Sequence, residues 1–271
     1  MKEFIFDELA IAKRVINDHK IDYDNAKNHI WQLAKYNYWI LKMDDKENND
    51  NITQYMHQYW KMYSDPDYSE TIDGYLKAVK KKDFKKIESI PIYKSELDTI
   101  ATLDDIQLEK IAFVMLCIAK YEHESHPDWD YWINEYKDNV IMSLARVHVP
   151  VNERSTLLRQ LYLRDFIGMP HKTGKCNYLV KFVSNGENDQ IVLELGEADY
   201  KELAYTYLYY KNGFSGYYHC SRCGRLVREK KNTPNNAKYC RECAKEVQKE
   251  WSRKSSQRFR DKEKSDISDQ F

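Results

Sequence analysis

The sequence predicts a mainly α protein with a small β-hairpin and a metal-binding C-terminal end. Three observations predict it. Gly and Pro are scarce, 8 and 6 among 271 residues, and Lys, Glu, Leu and Ile are frequent. Apolar residues recur at i, i+3/i+4 and i+7 along much of the chain. Two Cys-x-x-Cys pairs, Cys220-Ser-Arg-Cys223 and Cys240-Arg-Glu-Cys243, are separated by sixteen residues. That arrangement of four soft ligands is the signature of a structural zinc site. The expected domains are an acidic helical body at 1–101, a second domain at 102–196, a linker helix and four-cysteine zinc finger at 197–250, and a basic, partly disordered tail at 251–271.

Apolar residues make up 42% of the chain and charged residues 32%, so a core can form beneath a well-solvated surface. The first eight residues are acidic and lack the apolar stretch of a signal peptide. The longest apolar run, 111–119, is too short to span a bilayer. A cytoplasmic protein without a membrane segment is expected. Cys117 and Cys176 are left unpaired by spacing, unlike the cysteines of a secreted disulfide framework.

A net charge of zero conceals segregation. Residues 1–139 sum to −8, 140–183 to +5, 184–218 to −4 and 219–264 to +9, the last from fifteen basic and six acidic side chains. Two basic islands on an acidic body are the usual footprint of nucleic-acid binding. Solvated helix faces are the plainer explanation, and both readings remain open here.

Helices are expected at 3–20 and 25–43, the second N-capped by Asp24. Residues 44–51 contain no apolar side chain and read as a loop. Helical periodicity resumes at 52–63 and is stopped by Ser64-Asp-Pro-Asp67. A further helix is expected at 71–82, whose terminal lysines suit a helix C-terminus. Thr102-Leu-Asp-Asp105 has the spacing of a capping box. The helix it opens is apolar almost all round from 111 to 119, which predicts a buried central helix with Cys117 as a small buried hydrophobe. In Glu122-His-Glu-Ser-His126 the histidines stand three apart instead of four, and Pro127 follows, so a polar loop is favoured over a protease-type metal site.

A helix at 129–147, a break at Val149-Pro150 and an amphipathic helix at 152–165 follow. The β-rich runs 178–183 and 190–195 flank Asn185-Gly186 and read as a hairpin. Helices followed by a hairpin, with Leu157-Leu158-x-x-Leu161 and Phe166-Ile-Gly168 before it, resemble a winged helix-turn-helix over about 104–196. The resemblance implies a recognition helix at 152–165 with Arg154, Arg159 and Arg164 on its polar face, and Lys172 and Lys175 nearby. Arginine suits forked contacts with guanine edges and phosphates. Winged helices also serve as protein-interaction modules, so that reading stays beside the first.

Residues 197–212 read as a Tyr-rich helix with Asp199 near its start and Asn212-Gly213 at its end. Tyr217-Tyr-His-Cys220-Ser-Arg-Cys223-Gly224 resembles a zinc knuckle, where Gly224 permits the positive φ of a sharp turn. Cys240 and Cys243 open a helical run whose dipole favours thiolate. A knuckle plus a helix N-terminus resembles a treble-clef or zinc-ribbon-like finger. Disulfides or an iron–sulfur cluster suit the setting less well. Such a module should depend on metal for about 10–16 kcal/mol of folding free energy. Arg225, Arg228, Lys230 and Lys231 lie between the pairs, and Arg253, Lys254, Arg258 and Arg260 in the tail, with Trp251 and Phe259 interleaved. This composition suits a phosphate backbone; a solvated terminus is the alternative.

Treble-clef folds also host HNH nucleases, but residues 224–239 contain no His to act as base, and no P-loop, dinucleotide-binding or hydrolase-elbow motif occurs. The layout resembles proteins of bacteriophages and integrated elements of Gram-positive bacteria that end in a similar Cys-x-x-Cys-Gly … Tyr-Cys-x-x-Cys finger with a basic tail. That likeness covers about 104–260 and implies a phage or mobile-element setting without an activity. A non-enzymatic DNA-binding regulator is therefore expected, with a protein-binding adaptor or inhibitor of a host factor as the alternative.

Overall fold

The computed structural model describes residues 4–134, 136–169, 177–229 and 237–268, with side chains as far as Arg258. They form a mainly helical chain with small antiparallel sheets and a C-terminal cysteine cluster. The chain divides between Glu88 and Ser89 into two compact units. No helix among the described residues is long and apolar enough to cross a membrane.

The N-terminal unit holds α1 (Glu8–Asp18), α2 (Ala26–Trp39), α3 (Asp45–Tyr59) and α4 (Asp65–Val79). Ile30 and Leu33 of α2, Ile52 and Met56 of α3, and Ile72 and Leu76 of α4 bury their helical stripes in one core. Residues 44–51 are not a loop. Asp44 Oδ1 accepts from the Glu47 amide at 2.9 Å and Glu47 Oε2 from the Asp44 amide at 3.1 Å, a reciprocal capping box that starts α3 there. Asn48, 1% exposed, replaces an apolar residue by donating to the Ala34 carbonyl and accepting from Asn37. α3 ends at Tyr59, and after a short turn Ser64 N-caps the next helix, with Pro66 tolerated in its first turn. α4 therefore begins six residues earlier than the expected helix at 71–82. Lys80 at its end pairs with Asp45 at 2.7 Å.

The C-terminal unit begins with β1 (Ile90–Tyr93) and α5 (Lys94–Ala101), elements too short to leave a clear period in the sequence. α6 (Ile106–Ser125) is the buried central helix that was expected, with every residue from Leu108 to Glu122 buried except Lys110. Its cap is Asp105, whose Oδ1 accepts from the Gln107 and Leu108 amides. Thr102 instead closes α5, donating to the Thr99 carbonyl. The Glu122–Ser125 stretch, expected as a loop, is the last turn of α6, because Glu122 is buried and His126 forms the C-cap.

The long helix expected at 129–147 is β2 (Trp132–Ile133) followed by α7 (Asp138–Leu144). Here the apolar run serves a strand: Trp132 and Ile133 pair with Leu179 and Tyr178. α8 (Val151–Leu163) leads to β3 (Ile167–Gly168) and then β4 (Tyr178–Val180). The expected hairpin does not form. β4 lies between β2 and β3, whereas β5 (Ile191–Leu195) pairs with β1, with Ile90 opposite Leu195. The Asn185-Gly186 turn is held by α5 instead. Asp189 accepts from the Ser95 hydroxyl and from Ser184, and Gly186 (φ +77) leaves room for no Cβ beside Tyr93.

α9 (Glu197–Tyr200) and α10 (Leu203–Lys211) replace one expected helix, broken at Glu202, a buried carboxylate paired with Arg146. β6 (Tyr217–His219) pairs with β7 (Leu226–Arg228), and α11 (Arg241–Ser268) ends the described chain. The segment expected as a partly disordered tail is thus continuous helix as far as Ser268.

Candidate metal centre

Four sulfurs converge between the β6–β7 hairpin and the start of α11. The Sγ atoms of Cys220, Cys223, Cys240 and Cys243 all lie within 4.8 Å of one another, and Cys223 Sγ is 3.9 Å from Cys240 Sγ. Thiolates about 2.3 Å from a tetrahedral ion stand about 3.8 Å apart, so this set fits a metal ion of that coordination. The backbone makes the convergence. The Cys220 amide donates to the Arg225 carbonyl and the Gly224 amide to the Cys220 carbonyl, closing the turn. Gly224 adopts φ +70 as the knuckle requires. The second pair is set by α11, where the Cys243 amide donates to Cys240 Sγ at 3.4 Å. The Ser221 amide reaches the Lys238 carbonyl at 2.7 Å, and the Tyr218 hydroxyl the Tyr239 carbonyl at 3.1 Å, tying the two halves together.

The thiols do not share one proton affinity. Burial acts to raise Cys220, but backbone N–H groups of Cys240, Cys223 and Arg222 outweigh it and hold the thiol at about 6. Burial raises Cys223, with the Arg225 amide opposing it, and burial raises Cys243, where bonding to the neighbouring thiols adds to it. Metal ligation takes the thiolate form of each cysteine, which the amides around Cys220 already favour. His219 stays outside the sulfur set, its Nδ1 3.1 Å from the Gly224 carbonyl.

Among the described residues, Cys117, His123 and His126 are occupied elsewhere, and Cys176 lies outside them. Cys117 is buried on α6, where burial pushes its thiol well up and its carbonyl accepts from Tyr200. His123 Nδ1 bonds the Trp129 carbonyl and His126 stacks on the Trp129 ring.

The expected basic residues meet different fates. Arg225 is committed: Nη1 donates to Glu242 at 3.0 Å, and Nε lies 3.8 Å from Glu202. Arg164 donates to the Leu103 carbonyl at 2.8 Å, so it caps the end of a neighbouring segment. Arg154 is half-buried, with an Nε that finds no hydrogen-bond partner, whereas Arg159 is exposed on α8. Arg228 is exposed on β7, and Arg253, Lys254 and Arg258 are exposed on α11. Lys172, Lys175, Lys230, Lys231 and the side chain of Arg260 lie outside the described residues.

α11 sorts charge by face. Glu242, Glu246 and Glu250, four apart, turn to the knuckle, where Arg225 takes the first and Arg222 the other two. Arg241, Lys245, Lys249 and Arg253, also four apart, lie on another face and are exposed. Arg241, Lys245 and Lys249 form no ion pair among the described residues. Of this stripe only Arg253 was among the expected site residues; Arg241, Lys245, Lys249 and Arg222 were not, although the two four-residue repeats are legible once α11 is taken as helix. No protein-family model, curated protein or solved structure matches the chain.

Proposed function

We propose that the chain is a zinc-containing nucleic-acid-binding protein, directed to DNA, that acts as a regulator without catalysis of its own. The finger's resemblance to phage and mobile-element proteins suggests its setting. Zinc is the metal that suits four thiolates in a tetrahedron, held by Cys220, Cys223, Cys240 and Cys243 in a structural role. The observation that carries the reading is the segregation of charge on α11. The carboxylates are neutralised by Arg222 and Arg225 beside the metal centre, which leaves Arg241, Lys245, Lys249 and Arg253 as an outward cationic stripe. Cations at one-turn intervals on a rigid helix suit a phosphate backbone.

Arg159, Arg228 and Arg258 are further exposed arginines of the expected set, available for contacts. The deciding experiment is a gel shift of the full chain with duplex DNA at two salt concentrations. Binding that weakens steeply with salt, and that weakens further on Lys245→Ala with Lys249→Ala, supports the proposal. No shift at low salt from metal-loaded protein overturns it in favour of a protein-binding adaptor.

A further inference from the structure

A cleft of about 390 Å³ opens in the N-terminal unit, where α1 ends against α2 and α3. Its size falls within the range of about 300–1,000 Å³ typical of small-ligand sites. In a chain that is 32% charged, none of the described residues lining it is Asp, Glu, Lys or Arg. The lining instead combines aromatic rings with side-chain amides.

The rings form one wall. His19 stacks on Tyr59 with centroids 3.9 Å apart and planes 11° apart, and Tyr59 leans on Tyr55 at 4.7 Å. His19 is the C-cap of α1 at φ +50, a left-handed conformation uncommon outside glycine. Its protonation pattern follows from its partners. The Tyr55 hydroxyl donates to the Ile16 carbonyl at 2.7 Å, so toward His19 Nδ1, 3.1 Å away, it accepts. Neutral His19 therefore carries its proton on Nδ1 and leaves Nε2 as an acceptor.

The amides come mostly from one face of α3. Asn51 Oδ1 is taken by Asn37 Nδ2 at 2.9 Å, which leaves the Asn51 amino group as a donor. Gln58 donates to the Tyr59 hydroxyl. Gln54, three residues beyond Asn51, lines the cleft with both amide atoms unbonded among the described residues.

We propose that this cleft binds the base of a nucleoside. The base stacks on the His19–Tyr59–Tyr55 wall and presents its hydrogen-bonding edge to Asn51, Gln54 and His19 Nε2. Aromatic faces accept any base by stacking, and a carboxamide can pair with both the donor and the acceptor of an adenine edge. The absence of a lining cation disfavours ligands recognised through phosphate or carboxylate. A neutral sugar ring shares the stacking and hydroxyl chemistry, so the test must separate the two. The proposal is independent of the role assigned to α11, which lies in the other unit.

The test is titration of the full metal-loaded chain with adenosine, followed through the NMR resonances of the Tyr and His rings. Saturable shifts are expected at millimolar adenosine, with adenosine monophosphate binding no more tightly and glucose more weakly. Gln54→Leu, at an exposed position of α3, is expected to weaken adenosine binding about fivefold or more while leaving the unliganded thermal midpoint unchanged. Tyr59→Ala provides a second loss, read only after its fold is checked by circular dichroism. Absence of saturable shifts up to about 10 mM adenosine overturns the proposal. So does tighter binding of glucose than of adenosine, or a Gln54→Leu protein that binds adenosine like the wild type.

Discussion

Arg222 of the knuckle donates to Glu250 of α11 at 2.7 Å, across 28 positions of sequence, and also reaches Glu246 at 3.7 Å. Arg222 stands between the two ligands Cys220 and Cys223, and Glu250 lies two turns beyond Cys243. The bond holds the Glu250 carboxyl below the usual carboxylate range. An exposed pair of this kind adds little stability. Its effect is directional: it turns the Glu246 and Glu250 carboxylates of α11 toward the knuckle.

Metal removal is expected to unfold the hairpin and the first turns of α11 while leaving the buried α6 core folded. The full chain should bind one zinc, and Cys243→Ser should abolish stoichiometric binding, as measured by metal analysis after dialysis. Loss of the ion withdraws apparent folding free energy of about 10–16 kcal/mol from a module whose own buried cluster is little more than its cysteines. A chelated protein that keeps native hydrogen-exchange protection at Cys220 and Cys243 would contradict this.

Lys245→Ala and Lys249→Ala should each lower the slope of log affinity against log salt by about 0.9 if each side chain meets one duplex phosphate. Glu246→Gln removes a carboxylate on the knuckle side and should not weaken binding. The salt dependence of fluorescence anisotropy with a labelled duplex measures all three.

Gly224→Ala should weaken the module by about 1–2 kcal/mol, because φ +70 is unfavourable for a residue with a Cβ. The new methyl would also stand 3.1 Å from Ala198 Cβ. Gly74→Ala is the contrasting substitution. It sits inside α4 with nothing within 4 Å of the place a Cβ would take and should stabilise the protein by about 0.4–1 kcal/mol. Competition with a chelator and urea denaturation read the two effects.

Lys120→Met should cost about 3–5 kcal/mol, measured by chemical denaturation. Lys120 Nζ donates to both oxygens of Glu96, at 2.7 and 2.9 Å, and Glu96 is wholly buried. The Tyr93 and Ser184 amides also donate to this carboxylate, so the substitution leaves a buried charge with only these two neutral partners. Burial lowers the Lys120 ammonium, with Glu96 opposing that shift.

Alkaline pH should destabilise the N-terminal unit through Tyr55. Burial first, then the neighbouring Tyr59 and Asp18, push its phenol up to about 12. Between its ordinary value of about 10 and that value, the unfolded chain releases the proton and the folded chain keeps it. The contribution of Tyr55 is therefore complete below pH of about 10 and is lost as pH rises through about 12. Tyr55→Phe should flatten that part of the stability–pH curve, as followed by urea midpoints.

The elements legible in the sequence were those whose signal is local. The all-apolar run on α6, the stripe on α2 and the positive φ at Gly224 each depend on residues within a few positions of one another. Two Cys-x-x-Cys pairs likewise announce their convergence, because each pair can direct its sulfurs to one point without help. Illegible elements depended on distant partners. Residues 44–51 carry a local capping pair, Asp44 and Glu47, but for want of an apolar residue they look like a loop until Asn48 is seen bonding Ala34 and Asn37 of the preceding helix. Runs 178–183 and 190–195 look like a hairpin because nothing local reveals that the strands holding Trp132 and Ile90 are their partners.

Composition and spacing alone determined a helical class, one buried helix and four cysteines that converge as a candidate metal site. Tertiary structure decided which strands pair, which arginines are spent inside the fold and which face of α11 remains cationic. The reason is that a charged side chain has no fixed role in the sequence. Arg225 and Arg164 become clasps only because Glu242 and the Leu103 carbonyl arrive beside them, whereas Lys245 and Lys249 form no ion pair among the described residues because the carboxylates of their own helix are held on another face.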